Sequence, residues 1–477
     1  MPAPSGFPLV EELIPAPDVV TATRKLQSLP NLLVLDSALR RDPVGRYSFL
    51  TADPIQWWQT DRGVFGDDPF RFLESTLGPL ANDPIEGLPP FQGGVAGLMG
   101  YELGQCFERI PTACYDEFQL PSLAAGLYDW VIAWDHEQQR AWLISQGWPE
   151  VEPSRRREQA KQRSQDIRKR LSLDQVSATV ATATTLERDQ LAPQYKMAAK
   201  SSLTSNFSRD AYLQAVRRVI EYIHAGDIFQ ANLTQRLLFP SQLDATTLFE
   251  RLRKVNPAPF AGFLQWDDWA VISASPERFL RVDGRDVETR PIKGTRRRNR
   301  GPEADLFTRD ELRESEKDQA ENVMIVDLLR NDLSRVCEPG SIRVPQLCGV
   351  ETYETVQHLV SEVRGRLCSD RSVWDLFRAA WPGGSITGAP KVRAMQIIAE
   401  LEPTARGPYC GSLFYVGANG QTDSNLLIRT FVQRKGWLQC GVGGGIVAQS
   451  DPAAEYEETL VKAAGMIRAL GKISTTD

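Results

Sequence analysis

Apolar and polar positions change their spacing several times along the chain, and each change marks an element. Near the N-terminus, LLVLDSAL (32–39), SLAAGLYDWVIAW (122–134) and RAWLI (140–144) are apolar runs, with Gly87-Leu88-Pro89 and Gly93-Gly94 among the turns. Such runs read as strands. From Ser208 the spacing becomes three to four: Tyr212, Val216, Val219, Ile220 and Ile223 share a helix face that Ser208 can cap and Gly226 stops. IFQANLTQRLLF (228–239) alternates instead, with Phe229, Ala231 and Leu233 on one side and Gln230, Asn232, Thr234 and Arg236 on the other. That predicts a strand with a polar, site-facing side. Residues 269–292 read as a meander of WAVISA, ERFLRV and DVETRPI with a hairpin turn at Asp283-Gly284. Longer helices are predicted near 311–335 and 453–470. Hairpins joined locally, helices, and no regular βαβ alternation predict an α+β architecture built on antiparallel sheets.

The stretch from 150 to 206 differs in character. SRRREQAKQRSQDIRKR carries eight basic and two acidic residues between Ser154 and Arg170, and a Ser/Thr/Ala-rich segment follows. It reads as a solvated helix and linker (151–206) between an N-terminal part (1–150) and a C-terminal part (207–470). A nucleic-acid arm is disfavoured: no aromatics interleave the charges, and the whole chain, with 55 Lys+Arg against 61 Asp+Glu, has a net charge of −6. No apolar run approaches the roughly 18 residues of a membrane span, and MPAPSGFPLVEELIPAPD lacks the basic and apolar regions of a secretory signal. Seven cysteines without a CxxC pair read as reduced thiols of a cytoplasmic protein.

Four acidic residues form two i,i+3 pairs, Asp318 with Glu321 and Glu455 with Glu458, and Lys462 follows on the second helix face. Either these are two solvated faces, or two helices meet to hold one Mg²⁺ through carboxylates; spacing alone does not choose. GGSITGAPK lacks the Gly-Lys of a phosphate-binding loop, and GVGGGIV has Ile446 where a dinucleotide fingerprint needs glycine. Gly443 to Gly445 would let backbone N–H groups approach an anion, or form a tight turn between strands. Lys293 precedes Arg296, Arg297 and Arg298, cations that would lower the pKa of a buried lysine and favour it as a nucleophile; a surface lysine is the plain alternative. Glu277 stands at a predicted strand start, where a buried carboxyl serves as a general acid or base. His358 is either functional or a core histidine bonded to backbone.

Taken together, GDIFQANLTQR, SPERF, RPIKGT, SEKDQAENVMIVDLLRNDLSRV, HLVSEVRGRL, GGSITGAPK, RGPYCG, NLLIRT, GVGGGIV and DPAAEYEET resemble, in order, the chorismate-utilising enzymes related to anthranilate synthase component I. They cover 208 to about 467 densely and the first 150 residues more loosely. The resemblance implies large antiparallel β-sheets flanked by helices, with an anthranilate synthase component I-like N-terminal domain (1–150) and a chorismate-binding catalytic domain (207–470). It implies Mg²⁺ bound by Glu321 and Glu458, with Asp318 and Glu455 supporting through water. It implies a chorismate carboxylate on Arg429 and Tyr409, Gly443, Gly444 and Lys462 around the ligand, and Thr387 and Thr295 lining the cavity. Ser37, Asn256, Pro257 and Phe260 match a tryptophan pocket of some relatives.

Two positions separate the branches of this family. Isochorismate and salicylate synthases place a water-activating lysine where this chain has Gln230, so ammonia is the implied nucleophile. Anthranilate synthases read PIAGT where this chain reads PIKGT, the mark of the aminodeoxychorismate branch. There Lys293 attacks chorismate C2, Glu277 protonates the departing C4 hydroxyl, and ammonia displaces the lysine at C4. His358 matches a family histidine tied to ring-proton or lyase chemistry. No glutaminase cysteine context is visible, which implies a separate glutamine amidotransferase subunit. The alternative within the family is anthranilate synthase component I.

Overall fold

The computed structural model describes residues 7–40, 44–173, 185–197, 202–241, 243–298, 301–352 and 356–471. Two large antiparallel sheets lie face to face, with helices outside each, so the α+β expectation holds. The period-2 pattern shows how the layers form. In the strand Leu32–Asp36, Leu33 points into the core between the sheets, while Leu32 and Val34 pack against helices on the outer face. Phe49, Tyr128, Trp142, Leu264, Trp269 and Leu413 fill the inter-sheet core from both sides.

Both sheets draw strands from either side of the 151–206 connection. In the first, Leu32–Asp36 pairs with Phe260–Trp266; in the second, Gly94–Met99 pairs with Ser412–Gly417. The predicted basic helix forms as Pro153–Ser172, Pro at its first position and Glu152 as its cap. Ser208 caps Arg209–His224 by accepting from the Ala211 N–H, and Gly226 ends it with φ +83°.

Two sequence expectations need correction. The 269–292 meander is split: Trp269–Ser275 belongs to the first sheet, and only Arg278–Asp283 and Asp286–Arg290 form the hairpin in the second. The apolar run SLAAGLYDWVIAW likewise breaks at Asp129 into Leu123–Tyr128 and Trp130–Asp135, one strand in each sheet. Local alternation cannot report such crossings, because a strand pairs the same way in either sheet. The first crossing places Glu277 where the chain passes between sheets.

Candidate active site

The site forms where strands of both sheets meet two acidic helices. Gln230–Pro240 and Trp437–Ile446 run side by side, with Leu233 opposite Gly444 and Thr234 opposite Gly443. The glycines are therefore inside a strand and not in a tight turn. A Cβ on Gly443 would meet the Leu233 carbonyl oxygen at 2.4 Å, and one on Gly445 the Gln230 Nε2 at 1.9 Å. Glu455 and Glu458, on Pro452–Ala469, approach Gly444 closely enough to lie 3.4 and 3.8 Å from such a Cβ. Lys462 Nζ donates to the Gly443 carbonyl at 2.9 Å and pairs with Glu458 at 2.7 Å.

Lys293 lies on Ile292–Arg297, which pairs with Val356–Arg366. The register shifts between Lys293 and Thr295, and Gly294 takes φ +69° there, the left-handed region that glycine reaches without steric cost. This bulge turns Lys293 toward Ser385 and brings Thr295 Oγ1 to 2.8 Å from His358 Nδ1. His358 is buried, with Thr295 Oγ1 against its Nδ1. Lys293 Nζ donates to the Ser385 carbonyl at 3.4 Å, and Ser385 Oγ donates to Glu277 Oε1 at 2.7 Å. One serine thus joins the two groups.

Their electrostatics differ in sign. Burial pushes Glu277 up to about 7, against the opposing pull of the Ser385 hydrogen bond, Lys293 and Arg429. Burial holds the Lys293 ammonium below the usual lysine range, with Lys462 acting the same way and Glu321, Glu277 and Glu458 opposing. Arg296 and Arg298 are not the cause expected from sequence, and the side chain of Arg297 lies outside the described residues. Arg296 pairs with Glu311 and Asp318, and Arg298 with Asp305, so their charge is locally neutralised. Arg429 has a left-handed φ of +53°, a conformation that is sterically disfavoured for a non-glycine residue. Burial lowers its pKa, and Glu277 is the opposing charge.

The carboxylates divide. Glu321 on Glu316–Ser334 and Glu455 share Lys317, at 4.0 and 3.1 Å, and Ser450 Oγ donates to Glu455 at 2.7 Å. Burial raises Glu321, with Asp318 and Glu455 adding to the effect and Lys293 and Lys317 opposing it. Burial acts to raise Glu458, but Lys462 together with Lys317 and Lys293 outweighs it and holds the carboxyl low. Asp318 is occupied by Arg296 at 3.1 Å. Among the described residues no three His, Cys, Asp or Glu side chains converge tightly enough to enclose a metal ion. Glu321, Glu455 and Glu458 nevertheless offer the all-oxygen, negatively charged donors that Mg²⁺ takes, arrayed on two helices and balanced by Lys317 and Lys462.

The remaining candidates are less central. Thr387 is buried, its hydroxyl donating to the Gly383 and Gly384 carbonyls at 3.0 and 3.2 Å. Tyr409 is buried beneath Gly441, where any Cβ would strike its ring at 2.2 Å. Gln230 is fully buried, and neither amide atom has a hydrogen-bond partner. Ser37 and Phe260 line a separate cavity of about 380 Å³ with Asp36, Arg46, His136 and Tyr415; Asn256 and Pro257 are not part of its lining. Ser385 and Lys317 were missed from sequence. Lys317 had a signal, its i,i+4 spacing from Glu321; Ser385 had only its place in GGSITGAPK.

Residues 39–468 match the chorismate binding enzyme family. The chain belongs to that family. It is 44% identical over 451 residues to aminodeoxychorismate synthase component 1 of Klebsiella aerogenes, covering 92% of this chain and 93% of that protein. It is 40% identical to the protein of the same name from Salmonella typhimurium, over 91% and 92% of the two chains. Anthranilate synthase component 1 of Thermus thermophilus is 39% identical, over 94% and 95%. Among solved structures, anthranilate synthase component I from Streptococcus pneumoniae aligns with a TM-score of 0.74 at 28% identity, over 90% of this chain and 93% of that one. The relatives are named as component 1, which implies a partner component. No described helix is long and apolar enough to cross a membrane.

Proposed function

We propose that this chain is the chorismate-converting component of aminodeoxychorismate synthase, forming 4-amino-4-deoxychorismate and water from chorismate and ammonia. The observation that carries the reading is Lys293: a lysine at this position, its amine favoured by burial, joined through Ser385 to an acid that is still half protonated near pH 7. The Lys293 amine attacks C2, the ring double bonds shift, and the C4–O bond breaks. Glu277 gives its proton to the departing hydroxyl, which leaves as water. Ammonia then attacks C4 and the C2–N bond breaks, which returns Lys293. Thr295, Lys317, Glu458 and Lys462 are exposed, whereas Glu277, Ser385 and Gln230 are buried. Chemistry beside the buried Glu277 and Ser385 would be shielded from water, which limits hydrolysis at C4. Arg429 and Lys462 supply positive charge for the two substrate carboxylates, with Tyr409 and the Gly443 and Gly444 backbone beside them.

Glu321 and Glu458 would hold Mg²⁺, with Glu455 in support; when bound, the ion would neutralise a substrate carboxylate. Asp318, engaged with Arg296, is the weakest of the four. Ammonia would come from a glutamine amidotransferase partner. The seven thiols, all free, suit the reducing cytoplasm. The cavity holding Ser37 and Phe260 has room for an amino acid such as tryptophan.

Identification of the product tests the reading. The pure chain with chorismate, Mg²⁺ and ammonium should give 4-amino-4-deoxychorismate with the enolpyruvyl group retained. Anthranilate with released pyruvate would instead assign the chain to the anthranilate branch, whose Thermus thermophilus member is nearly as similar.

A further inference from the structure

We propose that Ser385 is the positioning residue of the acid–nucleophile pair: its hydroxyl orients the Glu277 carboxyl while its carbonyl seats the Lys293 amine. This rests on the roles given above to Glu277 and Lys293. Ser385 is buried in the Gly384–Ile386 turn, and three other groups already hold that turn in place. Asn232 Nδ2 donates to the Ser385 carbonyl at 2.6 Å. Arg406 Nη1 donates to the Ile386 carbonyl at 3.0 Å, and Thr387 Oγ1 to the Gly383 and Gly384 carbonyls. Arg406 is itself buried and fixed by Glu402, to which it donates at 2.6 and 2.8 Å, and it also donates to the Asn232 carbonyl at 2.8 Å. The turn is therefore fixed without the Ser385 hydroxyl. The hydroxyl instead donates to the buried Glu277 carboxyl.

A buried carboxyl that accepts from a hydroxyl is held on that side. The charged groups facing Glu277 are Lys293 and Arg429, and the backbone of Ile292 is its other hydrogen-bonding neighbour. Lys293 and Arg429 attract the carboxylate without fixing its rotation, whereas a 2.7 Å hydroxyl contact does. The same contact stabilises the ionised form, so it opposes burial and keeps the acid able to release its proton.

Ser385→Ala removes the hydroxyl and leaves the carbonyl. Infrared spectroscopy of the protonated carboxyl band, assigned by its loss in Glu277→Gln, follows Glu277 directly. In the wild type the band should disappear near pH 7, and in Ser385→Ala about one pH unit or more higher, because a hydrogen bond to the charged form is lost. The variant's kcat should fall about tenfold, with its alkaline limb displaced the same way and KM for chorismate within about twofold. Ser385→Cys, close in size and a weaker donor, should shift the band in the same direction by less, and it serves if the alanine variant does not fold. Titration of the band at the same pH in wild type and variants, or a downward shift, overturns the proposal. The infrared titration needs no turnover, so a wild type that makes a different product would refute the functional reading and leave this result standing.

Discussion

At the scale of single residues, burial more than neighbouring charge prepares the chemistry. Lys293 and Glu277 are shifted in opposite senses by the same desolvation, which favours the neutral form of each. The neutral forms are the amine that attacks and the acid that gives its proton. The pH dependence follows with a definite sign. Glu277 has a raised pKa of about 7, so the working acid is present below that value and lost above it. Lys293 has a lowered pKa, so its amine is available at lower pH than the roughly 10.4 of a free lysine would allow. The kcat profile should fall as pH rises through about 7, and Glu277→Gln should abolish that limb while lowering kcat about 100-fold. Lys293→Ala should slow the 4-amino product and open C2 to ammonia. Lys293→Arg should also fail, because a guanidinium stays protonated. Intact-mass measurement after quenching with chorismate, without ammonia, should show an adduct in the wild type and none in either variant; an adduct that survives in Lys293→Ala would move the nucleophile elsewhere.

At the scale of elements, the acidic helices and the glycine strand work together. Gly444 carries no Cβ where Lys462, Glu455 and Glu458 come in, and a Cβ there would lie 3.3, 3.4 and 3.8 Å from their polar ends. The helix 316–334 faces them through Lys317, which bridges its own Glu321 to Glu455 on the other helix. Glu321→Gln and Glu458→Gln preserve volume but remove charge that a divalent cation requires. Each should raise the Mg²⁺ concentration for half-maximal activity at least about tenfold. Full activity of either variant at limiting Mg²⁺ would reject the metal assignment. The i,i+3 spacing of these carboxylates was legible in sequence because a helix repeats every 3.6 residues. The diversion of Asp318 to Arg296 was not, since that contact crosses 22 residues through a bulged strand.

At the scale of the molecule, both sheets are shared between chain halves. Leu32–Asp36 hydrogen-bonds to Phe260–Trp266, and Gly94–Met99 to Ser412–Gly417, so neither half closes its sheets alone. The inter-sheet core mixes Phe49, Phe91 and Trp142 with Trp269, Leu413 and Tyr415. Heating should therefore produce one cooperative transition by both circular dichroism and calorimetry. Two separated transitions, or a soluble folded fragment of residues 1–150, would contradict this interdependence.

What the sequence determined by itself was local or carried by motif: the cap at Ser208, the stop at Gly226, the hairpin at 283–286, the acidic pairs, and Lys293 in RPIKGT. The caps, the turn and the acidic pairs depend on residues a few positions apart, where backbone geometry dictates the outcome, and Lys293 was picked out by its resemblance to a family motif. Tertiary structure decided the rest. It split the 269–292 run between two sheets, paired Arg296 and Arg298 with carboxylates, and put GVGGGIV inside a strand. It also joined Lys293 to Glu277 through Ser385, across 92 and 108 residues of chain. Burial and long-range pairing depend on which surfaces meet, and no spacing along the chain encodes that.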